Sequence, residues 1–316
     1  IGLNRLQDKL RRAGVKSPGH ARVIHAILRS RRIRRLQVPA NFPLGLANEL
    51  RRLGISTTPR KGTFFPQREL KSPAEVRKIS AALAMAEVGM AEAMQALHVS
   101  KITRDRRLLY HNHPLTSEKL RSVIDTAVLQ ASGLAANTIV AGGKQGCDPH
   151  ERGYGPLRAH EPIIIDIFPR SQKTGYFGDI TRTVVRGRAS EGVRRLYQTV
   201  WDGQKVAFRK VRAGVPTRAV HHAVQDFFKQ QGYKTGRRHG RMEGFFHGTG
   251  HGLGLEIHEA PRMGEHSTGK LQAGQVVTIE PGLYYPELGG VRLEDVVLVT
   301  SDGARNLTRF EKQLEI

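Results

Sequence analysis

Four acidic residues stand where acids are costly. Asp166 lies inside the apolar run Ile163–Phe168, Asp179 opens the next β-like run, Glu280 ends the run Val276–Ile279, and Glu294 falls within Val291–Val299. A carboxylate in an apolar strand is unfavourable unless it is paired or bound to a metal. Between the two acid pairs comes the stretch His247–His258, HGTGHGLGLEIH, with histidines at 247, 251 and 258 and glycines at 248, 250, 252 and 254. Glycine costs conformational entropy and packs no side chain, but it lets backbone come close to an ion or a substrate. A dinucleotide-binding loop does not fit, because His251 sits inside the turn and the full G-x-G-x-x-G is missing. Nor does a helical zinc motif, since no second histidine follows His258 at i+4 and Pro261 stands in the way.

Any one of these acids could be an ordinary salt-bridged carboxylate, and the glycine stretch alone could be a surface loop. The combination is more specific. Four carboxylates gathered in a core repel one another unless cations neutralise them. Four oxygen-donor side chains and one imidazole suit a pair of divalent ions, roughly 3.5–4 Å apart across bridging carboxylates.

The surrounding periodicities supply elements to position such a set. Residues 162–185 read as a β-hairpin, PIIIDIF and DITRTVV around the polar loop RSQKTGYFG, which would bring Asp166 and Asp179 together. QVVTIEP and GVRLEDVVLVT read as two more strands, joined by a turn at 286–290. Ser72-Pro73-Ala74-Glu75 offers an N-cap, a proline at the first helical position and a capping-box glutamate. A long helix should run from there towards Leu97, with Val76, Ile79, Leu83, Ala86, Met90 and Met94 on one face. Further helices are expected at about 116–132, 190–211 and 216–231, and a strand from Thr138. Helix, helix, strands thus occurs twice, across 72–185 and 190–300, which predicts two similar halves enclosing one site. The expected class is α+β, with helices covering a curved, mainly antiparallel sheet.

Composition sets the outer bounds. The chain has 316 residues, 39% of them apolar, and can bury one large core or two smaller ones. A single cysteine, Cys147, excludes an internal disulfide framework and fits a reducing compartment. No apolar run approaches the roughly 18 residues of a membrane span, and the N-terminal residues have no apolar signal-peptide core, so a cytoplasmic location is expected. The net charge of +23 is uneven. Residues 1–71 hold 17 Lys or Arg against three acids, and form an expected basic N-terminal domain and linker, short or incomplete, with short helices at 1–36 and about 45–53. Such a surface would attract nucleic acid nonspecifically, but few aromatics interleave it and a solvated basic face is the simpler reading. His111, His113, His221 and His222 are read as structural, and Cys147 as a buried free thiol.

The set Asp166, Asp179, His251, Glu280 and Glu294 resembles the five-ligand signature of the pita-bread metallopeptidases, which include methionine aminopeptidases, prolidases, Xaa-Pro aminopeptidases and the metal-free creatinases. The matching segments are IIIDIFPRSQKTGYFGDITRTVV, HGTGHGLGLEIHEAP, VVTIEPGLYY and GVRLEDVVLVT, in family order, and the likeness covers about 72–310. It implies a pita-bread catalytic domain at 72–316 with pseudo-twofold halves. It also implies two divalent ions, Mn²⁺ or Co²⁺ before Zn²⁺ or Fe²⁺. Asp166 and Asp179 would bind one ion, His251 and Glu280 the other, with Asp179 and Glu294 bridging. By the same resemblance Glu280 moves the proton of the attacking water, His258 stabilises the tetrahedral intermediate, and His150 faces the substrate.

Two residues point within the family to peptides with proline at the second position. His247 resembles the histidine beside the proline ring, and Arg292 the arginine of the G-V-R-x-E segment, where methionine aminopeptidases usually carry glutamine. VPANFPLGL and FFPQRELKSPAE resemble the end of the extra domain of prolidase-like members, in which that domain helps form dimers. One departure is the thirteen-residue step from Asp166 to Asp179, where the family usually has eleven. Alternatives are a methionine aminopeptidase, a metal-free creatinase-like hydrolase, and a non-catalytic pita-bread module that binds nucleic acid or ribosome through its basic surface.

Overall fold

In a computed structural model that describes residues 2–316, the chain divides into two units, Ile1–Gln67 and Arg68–Ile316. The first holds α1 (Leu3–Arg12), α2 (His20–Ser30), β1 (Arg35–Val38), α3 (Leu44–Arg52) and β2 (Ser56–Pro59). Its small core is built on Ala21, Leu28, Leu50 and Ile55. The three helices follow the apolar spacing. The pairing of β1 with β2, parallel from Arg35↔Ser56, was not expected, because four-residue strands among prolines and arginines show no alternation.

In the second unit α4 (Pro73–His98) begins at the expected capping box: Ser72 accepts from the Glu75 amide, and the Glu75 carboxylate accepts from the Ser72 amide. Its buried face includes Val76, Ile79, Leu83, Ala86 and Met90, whereas Met94 is only partly buried. α5 (Ser117–Gln130) packs closely on α4 at Gly89, where a Cβ would come 2.8 Å from the Val128 side chain. Three antiparallel strands follow, β3 (Ile139–Gly142), β4 (Ile163–Ile167) and β5 (Ile180–Val184), with β4 in the middle. The expected hairpin is β4–β5, with Asp166 opposite Thr181.

The second half repeats the order. α6 (Glu191–Lys210) and α7 (Thr217–Gln230) cover β6 (Gly250–Gly252), β7 (Glu259–Met263), β8 (Val276–Ile279), β9 (Gly282–Tyr285), β10 (Gly289–Arg292), β11 (Asp295–Val299) and β12 (Ala304–Asn306). Leu196, Val200, Val220 and Val224 of the helices pack with Val277, Ile279 and Val297 of the strands. One sheet runs β7–β6–β8–β11–β12, entirely antiparallel. The class is α+β, as the pattern predicts.

The last hairpin departs from expectation. Each of its two predicted strands is broken, so β8 pairs with β11 while β9 pairs with β10 in a separate two-stranded sheet. The breaks fall at Glu280-Pro281 and Leu293-Glu294, on the two acids. Pro281 has no amide hydrogen to continue the ladder. The carbonyls freed by the break are taken by buried Gln204 of α6, whose Nε2 donates to Ile279 O at 2.9 Å and Leu293 O at 3.1 Å.

The halves are joined along β5. Glu294 N donates to Thr181 O at 3.1 Å, and Thr183 exchanges bonds with the Arg292 backbone at 2.9 Å in both directions. On the opposite face of β5, buried Arg182 pairs with Asp295 at 2.9 Å and donates to the carbonyls of Glu294, Phe310 and Glu311. No described helix is long and apolar enough to cross a membrane.

β5 starts hard against α4. A Cβ on Gly178 would lie 2.4 Å from the Leu83 amide nitrogen and 2.5 Å from the Ala82 carbonyl oxygen, with no flexible group to give way. Gly178→Ala should therefore lower stability by about 1–3 kcal/mol, the usual cost of overpacking, read from urea denaturation of the metal-free protein. An unchanged midpoint would show that the strand is free to move off the helix.

Candidate metal centre

The predicted acids and the central histidine meet where the halves join. Asp166 lies on the middle strand β4, between Thr181 of β5 and Ile139 of β3. Asp179 directly precedes β5, placed by the close fit of Gly178 on α4. His251 is the middle residue of β6. Glu280 and Glu294 occupy the two strand breaks, where the backbone leaves one sheet for the other.

The glycines around His251 serve a different purpose from the one expected. A Cβ at Gly250 would lie 2.0 Å from Thr278 O, and one at Gly252 would lie 2.2 Å from Ala260 O. These positions are filled by the backbones of neighbouring strands, not opened towards an ion. The glycines let β6 sit close enough to β7 and β8 for His251 to reach the acids. Thr278 completes the placement by accepting from the His251 amide at 3.1 Å.

Asp179, His251 and Glu294 offer donor atoms that all lie within 4.8 Å of one another, and all three side chains are buried. His251 Nε2 is 3.5 Å from Glu280 Oε1 and 3.7 Å from Asp179 Oδ2. Its Nδ1 lies 3.1 Å from Gly252 O, so the proton belongs on Nδ1 and the Nε2 lone pair faces the carboxylates. Two buried oxygens of the cluster, Asp166 Oδ1 and Glu294 Oε1, have no hydrogen-bond partner among the described residues. Buried acceptors left without donors, beside an imidazole lone pair, are what metal ligands leave behind when the ion is not counted. The donor set therefore fits divalent cations.

Electrostatics agree. Burial, and then the charges of Glu294, Asp166 and Glu280, holds Asp179 well above the usual carboxylate range. Burial followed by Glu280 and Asp166 does the same to Glu294. Glu280 is pushed up to about 7 by burial, with Arg292 pulling the other way and Asp166 adding to the rise. Burial, then His258, lowers His251 to about 3, so its ring is neutral at any physiological pH. Without cations the cluster holds protons that it would give up to them.

Arg292 is a buried guanidinium in contact with this acidic site. Its Nη2 donates to Asp166 Oδ2 at 2.8 Å, and its Nη1 donates to Tyr284 OH at 3.2 Å. Tyr284 OH stands 2.8 Å from His247 Nε2, and His247 Nδ1 stands 2.8 Å from Gly248 O. With the His247 proton on Nδ1, Tyr284 donates to Nε2 and accepts from Arg292. Burial, then Arg292, lowers His247 to about 3, so its ring is neutral. Tyr284 was not singled out from sequence, although its segment VVTIEPGLYY was; nothing in the spacing marks a tyrosine as the link between two site residues. Gly282 makes room for it, since a Cβ there would lie 2.4 Å from the phenol oxygen.

A cavity of about 450 Å³ opens over the cluster and takes in His150, His247, His258, Arg262 and Phe168 along with the five candidate ligands and Arg292. His258 is exposed to it, its ring edge-on to that of His251 with centroids 4.4 Å apart. Burial, then Arg262, lowers its pKa. His150 is exposed at the rim. His221 lies outside the cavity and bonds Thr249 at 3.0 Å, and Cys147 is buried with its thiol pushed to about 12 by desolvation, so both are structural as expected.

Comparison with known proteins follows the same geometry. The chain is 37% identical over 181 residues to a protein of Pyrococcus furiosus named Xaa-Pro dipeptidase, an alignment covering 57% of this chain and 49% of that one. It is 29% identical over 285 residues to the Pyrococcus horikoshii protein of the same name, covering 89% and 75%. The solved prolidase structure from P. furiosus superposes with a TM-score of 0.78 at 27% identity, over 94% of this chain and 82% of that one. The profile of metallopeptidase family M24 matches residues 77–301, a span that holds both halves and all five candidate ligands. The pita-bread fold implied by the sequence is thus the fold observed, and the chain belongs to metallopeptidase family M24.

Proposed function

We propose that residues 72–316 form the catalytic domain of a metal-dependent exopeptidase that hydrolyses the bond between an N-terminal residue and a following proline. The observation that carries this is the convergence of Asp179, His251 and Glu294 within 4.8 Å, with orphaned carboxylate oxygens, under a cavity the size of a short peptide. Asp166 and Asp179 would hold one ion and His251 and Glu280 the other, with Asp179 and Glu294 shared. The carboxylate-rich set suits Mn²⁺ or Co²⁺. When bound, two such ions lower the pKa of water and polarise the scissile carbonyl.

The chain's own groups do the rest. Glu280 takes the proton of the attacking water and passes it to the leaving proline nitrogen. His258, neutral because of its surroundings, donates to the carbonyl oxygen as charge develops there, and His150 is the second donor at the rim. His247, fixed by Tyr284, presents a ring face for the proline. Arg292 fixes Asp166 and His247 at once, so its role is positional as well as electrostatic. Arg262 gives the cavity a cation beside His258 that a short peptide's terminal carboxylate would meet.

The deciding experiment is hydrolysis of Ala-Pro, Ala-Pro-Ala and Met-Ala-Ser by chelator-stripped protein, with and without Mn²⁺. Metal-dependent release of the residue before proline is expected, and His251→Ala should reduce it by more than about 100-fold, beyond the usual cost of losing a residue that only orients a ligand. Cleavage of the methionyl peptide alone would move the protein to the methionine-specific branch. No cleavage with Mn²⁺, Co²⁺, Zn²⁺ or Fe²⁺ would overturn the enzymatic reading.

The raised pKa values give a second expectation. Asp179, Glu294 and Glu280 hold protons in the metal-free site that cations must displace, while His251 has none to lose. Mn²⁺ binding should therefore release protons at pH 6.5, and affinity should climb as pH rises from 5 towards 8. Calorimetry in buffers of different ionisation enthalpy measures both. Binding with no proton release would mean that the acids are already ionised and the cluster looser than described.

A further inference from the structure

His258 has no hydrogen-bond partner of its own among the described side-chain bonds, yet the proposed chemistry needs it at one place over the cluster. Its position is set by the backbone on either side, and that backbone is tied down by its neighbour Glu259. Glu259 Oε1 accepts from the amides of Leu255 at 2.9 Å and Glu256 at 3.1 Å, and also from Arg68. Its Oε2 accepts from Lys71 Nζ at 3.1 Å. The carboxylate fits into space left by Gly254, where a Cβ would lie 2.8 Å from Oε2. Lys71 is itself immobile, its side chain 2% exposed and its amide bonded to Gly274 O at 2.8 Å.

The same short segment holds a second loop. Glu75 accepts from Tyr176 OH at 2.8 Å, and Tyr176 lies in the loop between the two aspartates, the loop that is longer than the family's usual one. The two loops also bond each other, through Phe177 N to Gly254 O at 2.8 Å. Residues 68–75 therefore form a strap along the outside of both loops. Its one fully buried charge, on Lys71, is spent on the residue next to His258.

We propose that Glu259 and Lys71 are positioning residues for His258, and that the strap 68–75 is thereby a working part of the active site. The inference rests on the peptidase reading for the role of His258, but not for the geometry. Neither residue touches the cavity or the cluster, so their loss should misplace His258 and leave ion binding intact. Burial lowers the pKa of Lys71 and Glu259 opposes that shift, consistent with an ammonium retained for this one partner.

The test compares wild type with Lys71→Met, Lys71→Arg and Glu259→Gln, each loaded with Mg²⁺ or Zn²⁺ for NMR and with Mn²⁺ for kinetics. The ring resonances of His258, assigned with His258→Gln, should shift in Lys71→Met and Glu259→Gln and return towards wild type in Lys71→Arg. Mn²⁺ affinity by calorimetry should be unchanged, and kcat on Ala-Pro should fall roughly 10–100-fold, the range for a residue that orients a working group, with little change in KM. Unmoved His258 resonances in a folded Lys71→Met protein would overturn the proposal. So would loss of Mn²⁺ binding in step with activity, which would mark a general structural role. Should Lys71→Met fail to fold, Arg68→Met at the more exposed end of the strap reads the same resonances. If wild type cleaves nothing, the peptidase reading fails, while the NMR comparison still decides the placement of His258.

Discussion

Gathering carboxylates away from water is the constraint from which the rest of this structure follows. Side by side and largely buried, Asp166, Asp179, Glu280 and Glu294 cannot all be ionised without opposing charge, and among the described residues Arg292 is the buried guanidinium that meets one of their carboxylates. Arg292 offsets part of the excess and is committed to Asp166. The remainder must be met by protons or by cations from solution. A stable fold that keeps such a cluster is one whose working form carries ions. His251 suits this exactly as a neutral donor should, adding a lone pair without adding positive charge that would weaken the site for metals.

The donors of the last hairpin are held by a register that continues across a local break in its strands. The register on either side of the breaks, Ile279↔Asp295 and Gly282↔Arg292, sets Glu280 opposite Glu294, and residues so opposed share one face. The breaks at Pro281 and Glu294 free those residues from the ladder, and Gln204 removes the penalty of the exposed carbonyls. β5 then works on both faces. Thr181 and Thr183 bind the glutamate strand on the site side, while Arg182 binds Asp295 on the other, so the two halves are fastened from front and back of one five-residue strand.

Much of this was written plainly in the sequence, for reasons that differ between residues. The α4 start was legible because a capping box is local. The α+β class and the doubled element order came from apolar spacing over long segments, which needs no tertiary knowledge. The four acids among the candidate ligands stood out because acids inside apolar strands are rare without cause, and His251 by its place in the glycine-rich stretch between them. What was missed depends on contacts distant along the chain. Tyr284 links His247 to Arg292 by its hydroxyl, and a tyrosine in a strand otherwise looks like packing. Gln204 answers carbonyls some 75 and 89 positions away. The breaks in the last hairpin, by contrast, fall at Glu280-Pro281 and Leu293-Glu294, where Pro281 is a local sign of an interrupted ladder that the strand reading passed over. The glycines near His251 were noticed but given the wrong neighbour, since sequence shows that backbone must come close to something and not what that something is.

The fastening behind β5 has a consequence in time. Arg182 is bound by the carbonyls of Phe310 and Glu311, Val185 N donates to Leu314 O at 2.6 Å, and Gly187 N donates to Ile316 O at 2.9 Å. The strand that carries Thr181, and so orients Glu294, is thus completed by residues 310–316. Arg182 reaches Phe310 and Glu311 across 128 and 129 positions of chain, and contacts of such long separation form slowly in folding. Ion capture is therefore tied to a long-range folding contact: the acids are not held in register until residues 310–316 have closed over the back of the sheet.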